Sequence, residues 1–354
     1  MLLSIIIPVY NVEKYIQRCL QSIVDSCTLY DSEIEVIVVD DGSPDDSGRI
    51  ADRFASKYSF FKVIHKENEG VAAARNTGIL EATGKWLYFV DSDDWMAKDA
   101  VDIICNRVKG NAEADILLFD AYQNMPEQEM HWEHFSEERV WNQQADIWLL
   151  QRGMLYFKMI DKKRKIPLAA PWDKVYRRDF IDRNRIFFQE TLKVLDDMVF
   201  NVEAFGEAKK VVYYNDRIYH YRYVPDSITN QYKTNRVEQD CVVWAYLKEY
   251  MNNKREQGIW NEKESEVFRQ AYYCRIVKSF SICTRLQFFN KKNLLNHREK
   301  VCVVKRVLKS EPYSEAFHKI KMQNAEWKLK IMIGVARLCW GNGVYLLYRG
   351  QQRL

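Results

Sequence analysis

The feature that most constrains the fold is an alternation, over the first 120 residues, of short apolar runs with segments of helical periodicity. Five runs are rich in Ile, Val and aromatic residues and have the length of β-strands. Between them, apolar side chains recur at helical spacing from Tyr15 to Val24 and from Ile50 to Phe54. This alternation predicts an α/β fold with a Rossmann-like, mostly parallel sheet flanked by helices. The predicted strands are Leu3–Val9, Glu35–Asp40, Phe61–His65, Lys85–Asp91 and Ala114–Asp120.

Polar clusters follow the first four predicted strands. They read "PVYN", "DDGS", "KENEG" and "DSDD" in chain order. The carboxyl ends of parallel strands share one edge of a sheet, and ligands bind beyond that edge. The sequence therefore predicts a ligand site built from these four loops.

Composition narrows the class of protein. The apolar share of 47% and the charged share of 29% are typical of globular chains, and a net charge of +4 over 354 residues does not favour nucleic acid as a partner. Eight cysteines without a CxxC pair indicate reduced thiols, so we expect a cytoplasmic chain. No apolar run reaches the roughly 18 residues that a membrane span requires.

Three carboxylates crowd the end of the fourth predicted strand. Asp91, Asp93 and Asp94 would repel one another unless a positive charge lies beside them. Two acids two positions apart can both turn toward a hard divalent cation such as Mg²⁺ or Mn²⁺. An acidic turn before a helix explains these residues equally well, so the motif alone leaves both interpretations open. Taken singly, "DDGS" is typical of a turn and Arg75 of a solvated helix residue.

Three longer segments carry a family resemblance. Together "SIIIPVYN", "VIVVDDGSPDDS" and "NEGVAAARNTGILEATGKWLYFVDSDDW" resemble the N-terminal half of the family 2 glycosyltransferases, which have the GT-A fold. The resemblance thins beyond residue 100 but continues in "APWDKVYRRDF", "LDDMVFN" and "YHYRYVPDSIT". It implies a metal-dependent, inverting enzyme that takes a sugar from a nucleotide sugar, expected here to be a UDP-sugar.

The resemblance also implies which residues bind the donor. Asp41 matches the carboxylate that holds the uracil edge, and Asp93 matches the direct metal ligand of the D-x-D motif. Within the first 100 residues the expected donor-binding set is Pro8, Tyr10, Glu13, Asp40, Asp41, Asn68, Arg75, Asp91, Ser92 and Asp93.

A second acidic pair, Asp196 and Asp197, matches the acceptor side. An inverting transfer needs a base there, and the resemblance implies Asp197 for that role. Relatives usually carry Glu at the position of Asp196, so this residue is a departure from the pattern. The alternative, helix-capping acids before "MVFN", is physically reasonable for Asp196 and less so for both residues. Trp172 resembles the acceptor-side Trp of relatives, although burial in the core is the default expectation for a tryptophan.

The segment around "YHYR" resembles the part of relatives that closes over the diphosphate. It implies contacts from Arg222 and Ser227 and makes His220 a further candidate metal ligand beside Asp91 and Asp93. A lone histidine is more often structural. The tetrapeptide "HWEH", which ends at His134, lacks a third metal partner and is expected on the surface.

The rest of the chain predicts a helical extension. Between residues 226 and 311 there is no proline and only one glycine, Gly258. We therefore expect a catalytic domain over 1–230, with a nucleotide-sugar half (1–120) and an acceptor half (121–230), followed by a helical region over 231–354. Near the C-terminus, Trp and Leu mixed with Lys and Arg suit either a packed helix, which we favour, or peripheral contact with the inner face of a membrane.

The resulting expectation is a transfer of sugar to a glycan or lipid-linked glycan acceptor, in the assembly of a bacterial-type surface polysaccharide. One alternative is a HAD-like, Mg²⁺-dependent phosphotransferase with Asp91 as nucleophile. That pattern expects its nucleophile on the first strand and Thr or Val at the position of Trp95. Another is a non-catalytic protein that binds nucleotides or glycans, which would not need Asp197.

Overall fold

The computed structural model describes residues 1–160, 168–223 and 231–351. Its strands are β1 Leu3–Val9, β2 Ile34–Asp40, β3 Phe61–His65, β4 Trp86–Phe89, β5 Trp95–Met96, β6 Ile116–Asn124, β7 Glu129–Trp132, β8 Arg139–Trp141, β9 Lys174–Arg177 and β10 Val211–Arg222. Its helices are α1 Glu13–Ser26, α2 Ser47–Lys57, α3 Val71–Glu81, α4 Ala100–Lys109, α5 Gln144–Leu155, α6 Arg178–Asn184, α7 Asp196–Glu207, α8 Arg236–Glu256, α9 Glu262–Cys283, α10 His297–Lys309, α11 Tyr313–Lys319, α12 Trp327–Arg337 and α13 Gly341–Gln351.

The ten described strands form one sheet in the order β3-β2-β1-β4-β9-β6-β10-β5, with β7 on β6 and β8 on β10. Strands β1 to β4 pair in parallel, and β6 pairs in parallel with β10. Strand β9 lies between β4 and β6 and runs antiparallel to both. Six of the ten strands therefore point the same way, and the predicted mostly parallel α/β sheet is confirmed.

The core forms where the apolar runs meet helix faces. All seven residues of β1 are buried, and α1 turns Ile16, Leu20 and Ile23 toward it. Helix α3 lies close to the sheet at Gly78, where an added Cβ would stand only 2.2 Å from Ile6 Cγ2. Both helix patterns and all five strand runs read from the sequence thus correspond to real elements. Strands β5 and β7–β10 were not anticipated.

The described chain divides into two compact units that interleave in sequence. The first comprises residues 1–151, 168–191 and 196–223 and carries the sheet. The second comprises 152–160, 192–195 and 231–351 and is mainly helical, as expected for the C-terminal region. The predicted boundary at 230 lies outside the described residues and stays a prediction. Throughout the described part of the chain, no helix is long and apolar enough to cross a membrane.

Candidate active site

The loops after β1 and β2 are tied to each other at the carboxyl edge of the sheet. Glu13 N donates to Asp45 Oδ2 (2.9 Å), and the Glu13 carboxylate accepts from Asp46 N (3.2 Å). Tyr10 is 48% exposed. Pro8 is buried within β1, so the loop that offers surface to a ligand begins at Tyr10 and not at the proline.

The Asp41 carboxylate holds the loop that leads into α3. Its Oδ1 accepts from Glu69 N (3.0 Å) and from Lys66 Nζ (3.3 Å), and its Oδ2 accepts from Gly70 N (2.8 Å). Only 3% of the Asp41 side chain is exposed. Asn68, on the same loop, is exposed. The structure therefore gives Asp41 a loop-fixing role that the sequence did not suggest.

Asp40 and Gly42 also contribute to the contact between the loop after β2 and the loop that leads into α3. Asp40 Oδ1 accepts from Ser43 N (3.1 Å), and Oδ2 lies 2.8 Å from His65 Nδ1, a contact that raises the pKa of His65. Gly42 has φ +70°, and an added Cβ would meet Asn68 N at 3.0 Å. The "DDGS" cluster is thus a turn that fits closely against the next loop.

The third acid of "DSDD" is a structural residue. Asp94 Oδ2 accepts from Tyr219 Oη (2.8 Å), and Oδ1 accepts from Arg222 N (2.6 Å). The same Tyr219 hydroxyl accepts from Asp91 N (3.1 Å), and Arg222 Nε donates to the Asp93 carbonyl (2.7 Å). Burial, with Asp93 and Asp91 nearby, raises the pKa of Asp94 well above its usual range. Strand β10 therefore fixes the turn that carries the other two acids.

Asp91 and Asp93 have the donor chemistry that a hard divalent cation requires. Burial and the neighbouring Asp91 raise the pKa of Asp93 to about 6, a penalty that a bound cation would relieve. Carboxylate oxygens with water and phosphate as remaining ligands suit Mg²⁺ or Mn²⁺. Within the described ranges, no three His, Cys, Asp or Glu side chains form a ready-made metal group.

Arg75 connects two acidic segments that are far apart in sequence. Its Nη2 donates to Asp91 Oδ1 (2.9 Å) and its Nη1 donates to Asp196 Oδ2 (3.0 Å). The guanidinium lies 5.0 Å from the Phe188 ring, and only 8% of the side chain is exposed. Burial alone would lower the pKa of Arg75, but Asp91, Asp196 and Asp197 outweigh it and raise the pKa. The solvated position expected for an isolated helical arginine is therefore wrong.

Asp196 and Asp197 form the first turn of α7. The Asp197 carboxylate accepts from Met198 N (2.7 Å). Burial and then the adjacent Asp196 raise the pKa of Asp197, while Arg75 opposes the shift. A carboxylate with a raised pKa accepts a proton more readily than an ordinary aspartate. The Asp196 carboxylate, by contrast, forms an ion pair with Arg75.

His220 is held in an aromatic stack. Its ring stacks between Tyr122 (4.5 Å) and Trp95 (4.9 Å), and its Nδ1 lies 3.0 Å from Asn124 Oδ1 and 3.3 Å from Glu129. Burial lowers the pKa of His220. The structure therefore does not bring His220 into a metal group with the two aspartates, because packing and the Asn124 contact already fix the ring.

Arg222, an expected diphosphate contact, lies beside the acidic turn that contains Asp91 and Asp93. Its guanidinium lies 4.6 Å from the Trp95 ring and 5.0 Å from the Tyr15 ring, close to the Asp93 carbonyl that its Nε contacts. Ser92, inside the turn, is buried. Ser227, the other expected diphosphate contact, lies outside the described residues.

Trp172 packs inside the protein. Only 4% of the residue is exposed, and its ring stacks on Tyr219 at 4.7 Å with an interplanar angle of 6°. It also contacts Tyr221 (5.8 Å) and Trp132 (5.5 Å), both partly exposed. The default expectation of a buried tryptophan is met, and Trp172 supports the tyrosine that holds the acidic turn.

The residue after this tryptophan belongs to a buried charged group. Asp173 contacts Lys174 Nζ and lies 2.8 Å from His134 Nε2, and all three side chains are fully buried. Burial alone would raise the pKa of Asp173, but Lys174 and His134 outweigh it and lower the pKa. The surface position expected for "HWEH" is therefore wrong for His134, whose partner lies 39 residues away in sequence.

Two supporting residues were missed from the sequence. Tyr219 holds the acidic turn, and Asn76 fixes the segment before α7 by donating to the Phe188 carbonyl (2.8 Å) and to Glu190 Oε1 (2.9 Å). The aromatic and β-branched residues of "VVYYNDRIYHYR" were a usable signal for β10 and its tyrosine. No local signal marked Asn76.

Comparison with known proteins matches the sequence of this chain to a family. The family described as Glycosyl transferase family 2 matches residues 4–184. The chain is 34% identical over 232 residues to the uncharacterized glycosyltransferase EpsJ of Bacillus subtilis (strain 168), covering 64% of this chain and 63% of EpsJ. This match spans less than two thirds of the length of EpsJ. A second relative from that organism, EpsH, is 32% identical over 286 residues, covering 79% of this chain and 75% of EpsH.

The fold has a solved counterpart. The crystal structure of S. aureus TarS 1-349 in complex with UDP is similar over 100% of this chain and 92% of that chain, with a TM-score of 0.67 and 21% sequence identity. The similarity confirms the GT-A fold that the family resemblance implied.

Proposed function

This chain belongs to glycosyl transferase family 2, and we propose that it is an inverting glycosyltransferase that uses a UDP-sugar donor. The acceptor is a hydroxyl of a glycan or lipid-linked glycan, in the assembly of a bacterial surface polysaccharide. None of the eight cysteines, all within the described ranges, forms a disulfide. Free thiols support a reducing compartment, so we place the enzyme in the cytoplasm, where nucleotide sugars are consumed.

The observation that carries the proposal is the double contact of Arg75. Its guanidinium bonds to Asp91, in the acidic turn after β4, and to Asp196, beside the proposed base. Residues 105 positions apart in sequence (196 minus 91) are thereby held around one cation. A donor motif and a base serve one reaction only when they lie at one site, and this ion pair supports that arrangement.

The donor binds across the loops at the carboxyl edge of the sheet. Tyr10 and Asn68 are exposed there, and the turn that contains Asp41 fixes the loop that carries Asn68. We assign the diphosphate end to the acidic turn, where Asp93 and Asp91 would hold Mg²⁺ or Mn²⁺. When bound, that ion offsets negative charge on the leaving diphosphate.

The transfer itself is one displacement. Asp197 takes the proton of the acceptor hydroxyl, and that oxygen forms the new bond to the anomeric carbon. The bond from this carbon to the phosphate oxygen breaks, and the electron pair leaves with the nucleoside diphosphate. Attack from the face opposite to the leaving group inverts the configuration. Arg75 pairs with the neighbouring Asp196, which leaves the carboxylate at 197 to take the proton.

The competing functions make different demands. A HAD-like phosphotransferase needs its nucleophile on the first strand, whereas Asp91 follows β4, the fourth strand in the chain. The family match over residues 4–184 also favours glycosyl transfer. A protein that only binds nucleotides or glycans has no use for a base with a raised pKa.

A screen of nucleotide sugars tests the proposal. The melting temperature is measured with UDP-, GDP-, CMP- and dTDP-sugars, with and without Mn²⁺, since a ligand at 100 times its Kd stabilises the fold by about 2.7 kcal/mol. We expect a rise with at least one UDP-sugar that requires the metal and is lost in Asp93→Ala. UDP release on adding acceptor oligosaccharides then reports turnover. Stabilisation by no UDP-sugar, or binding without any UDP release, contradicts the proposal.

A further inference from the structure

Helix α12 carries apolar residues on two opposite faces. One face is buried in the helical unit and consists of Leu329, Met332, Ile333 and Ala336. On the other face, Trp327 is 64% exposed, Ile331 44% and Leu338 77%. Steps of three or four residues align these side chains with Gly334, where an added Cβ would meet open space. We call Trp327, Ile331, Gly334 and Leu338 the outer stripe.

Positive charge borders the outer stripe on both sides. By helical geometry Lys328 lies about 100° from Trp327 in one direction and Lys330 about 60° in the other. Both lysines are exposed, and Lys328 Nζ lies 5.6 Å from the Trp327 ring. Trp340, just beyond the helix, is 49% exposed. From residue 327 to 354 the sequence contains three arginines and two lysines and no Asp or Glu.

We propose that the outer stripe docks on the surface of an anionic lipid bilayer, with α12 lying in the plane of the interface. Its apolar residues would enter the boundary between head groups and acyl chains, where tryptophan is favoured. The flanking lysines reach anionic head groups from either side. At 11 residues the helix is too short to span the hydrocarbon core, so the contact is peripheral.

The charge pattern selects a lipid surface as the occupant. Aligned exposed Trp, Ile and Leu side chains on a helix whose opposite face is already buried mark an interaction surface. A second copy of the chain would place lysines beside lysines, because a two-fold contact pairs the same patch with itself. The inference goes beyond the proposed transfer reaction, and its test does not depend on turnover.

Vesicle sedimentation tests this inference on the whole chain. Binding is measured to phosphatidylcholine vesicles with 30% phosphatidylglycerol and to pure phosphatidylcholine, at 50 mM and 500 mM NaCl. We expect binding that needs the anionic lipid and weakens with salt. Lys328→Gln with Lys330→Gln should lower the partition coefficient by roughly 25-fold, about fivefold for each charge. Trp327→Ser with Ile331→Ser should reduce it at both salt concentrations.

Matched controls lie on exposed sites of the sheet-bearing unit. Leu80→Ser removes an apolar side chain that is 73% exposed, and Arg53→Gln with Lys57→Gln removes two exposed charges from α2. Both should bind vesicles like the parent. Melting temperature and UDP affinity should be unchanged in all variants, which shows that they fold.

Three outcomes overturn the inference. They are equal binding to neutral and anionic vesicles, equal loss in the control variants, and no binding by the parent. Sedimentation equilibrium without lipid addresses the other occupant. If the parent self-associates and the Trp327→Ser, Ile331→Ser variant is a monomer, the outer stripe is a contact between copies and the lipid assignment is wrong.

Discussion

Replacement of Arg75 with methionine removes the cation that joins the two acidic segments while keeping an unbranched apolar stem. The side chain is 8% exposed, whereas the Asp91 and Asp196 carboxylates are 29% and 13% exposed. The variant therefore loses two charge-assisted hydrogen bonds of 2.9 and 3.0 Å and leaves partly buried carboxylates without a partner.

The expected cost follows from that burial. A hydrogen bond to a charged group contributes about 1.5–3 kcal/mol, and removal of one partner from a buried ion pair costs about 3–5 kcal/mol. Because Asp91 keeps access to water, we expect the lower end, about 3 kcal/mol of unfolding free energy at pH 8. Arg75→Lys keeps the charge but cannot reach both acids with a planar fork, so its loss should be intermediate.

The loss should also depend on pH. Arg75 opposes the rise in the pKa of Asp197 that burial and Asp196 cause, so removal of the cation should move this folded-state pKa further above the unfolded value of about 3.9. A carboxylate whose folded pKa is raised destabilises the protein fully above that pKa, and the penalty disappears as the pH falls toward the unfolded value. The difference between parent and Arg75→Met should therefore be smaller at pH 5 than at pH 8.

Urea denaturation followed by circular dichroism at both pH values measures this difference. Arg49→Met is the matched control, because its ion pair with Asp46 is 80% and 56% exposed and should contribute less than about 1 kcal/mol. If Arg75→Met is as stable as the parent at pH 8, or loses the same free energy at pH 5 and pH 8, the ion pair does not organise the site.

Four further predictions concern the site directly. Asp197→Asn should cut turnover by about 10²- to 10⁴-fold with UDP affinity intact, since the amide cannot accept the proton. The loss of turnover in Asp196→Asn should be milder. If Asp196→Asn is inactive and Asp197→Asn is active, the base is Asp196. The raised pKa of Asp197 also means that kcat/KM should increase with pH along a limb that lies above the ordinary aspartate range and is absent in Asp197→Asn, because only the ionised form is a base. Asp93→Ala should abolish transfer and the metal dependence of UDP binding measured by calorimetry; a variant that still binds UDP more tightly with Mn²⁺ would remove Asp93 from the metal site. Asp41→Ala should weaken UDP binding by about 1–3 kcal/mol and loosen the loop that carries Asn68, which hydrogen exchange at Glu69 and Gly70 would detect, and unchanged exchange there would refute the loop-fixing role.

The parts of the fold that could be read from the sequence are those set by local pattern. Strands β1 to β4 and β6 were found because every one is a short, apolar, strand-forming run. Strand β9 was missed because its four residues, "KVYR", acquire a strand conformation only through pairing with β4 and β6. Such pairing is a property of distant segments, which local pattern does not carry.

The same distinction applies to the site. The acidic clusters could be recognised as motifs in the sequence, but the separate role of each carboxylate could not. Asp94 looks like its neighbours in sequence, yet Tyr219, 125 residues away, makes it structural. Arg75 looks like a surface residue until Asp196, 121 residues away, is placed against it. Sequence reasoning identified the charged groups, and only the tertiary structure showed which charges compensate which.

Strand β9 also affects how the chain can be assembled. It pairs with the side of β4 that faces away from β1 and also with β6, so this side of β4 has no partner until residues 174–177 have been made. A fragment that ends at residue 120 would contain the donor loops but would expose the open edge of β4, and exposed strand edges promote aggregation. We therefore expect residues 1–120 and the segment that carries β9 to fold together. During synthesis, the edge of β4, the strand that leads into the acidic turn, therefore stays unpaired until the chain has passed β9.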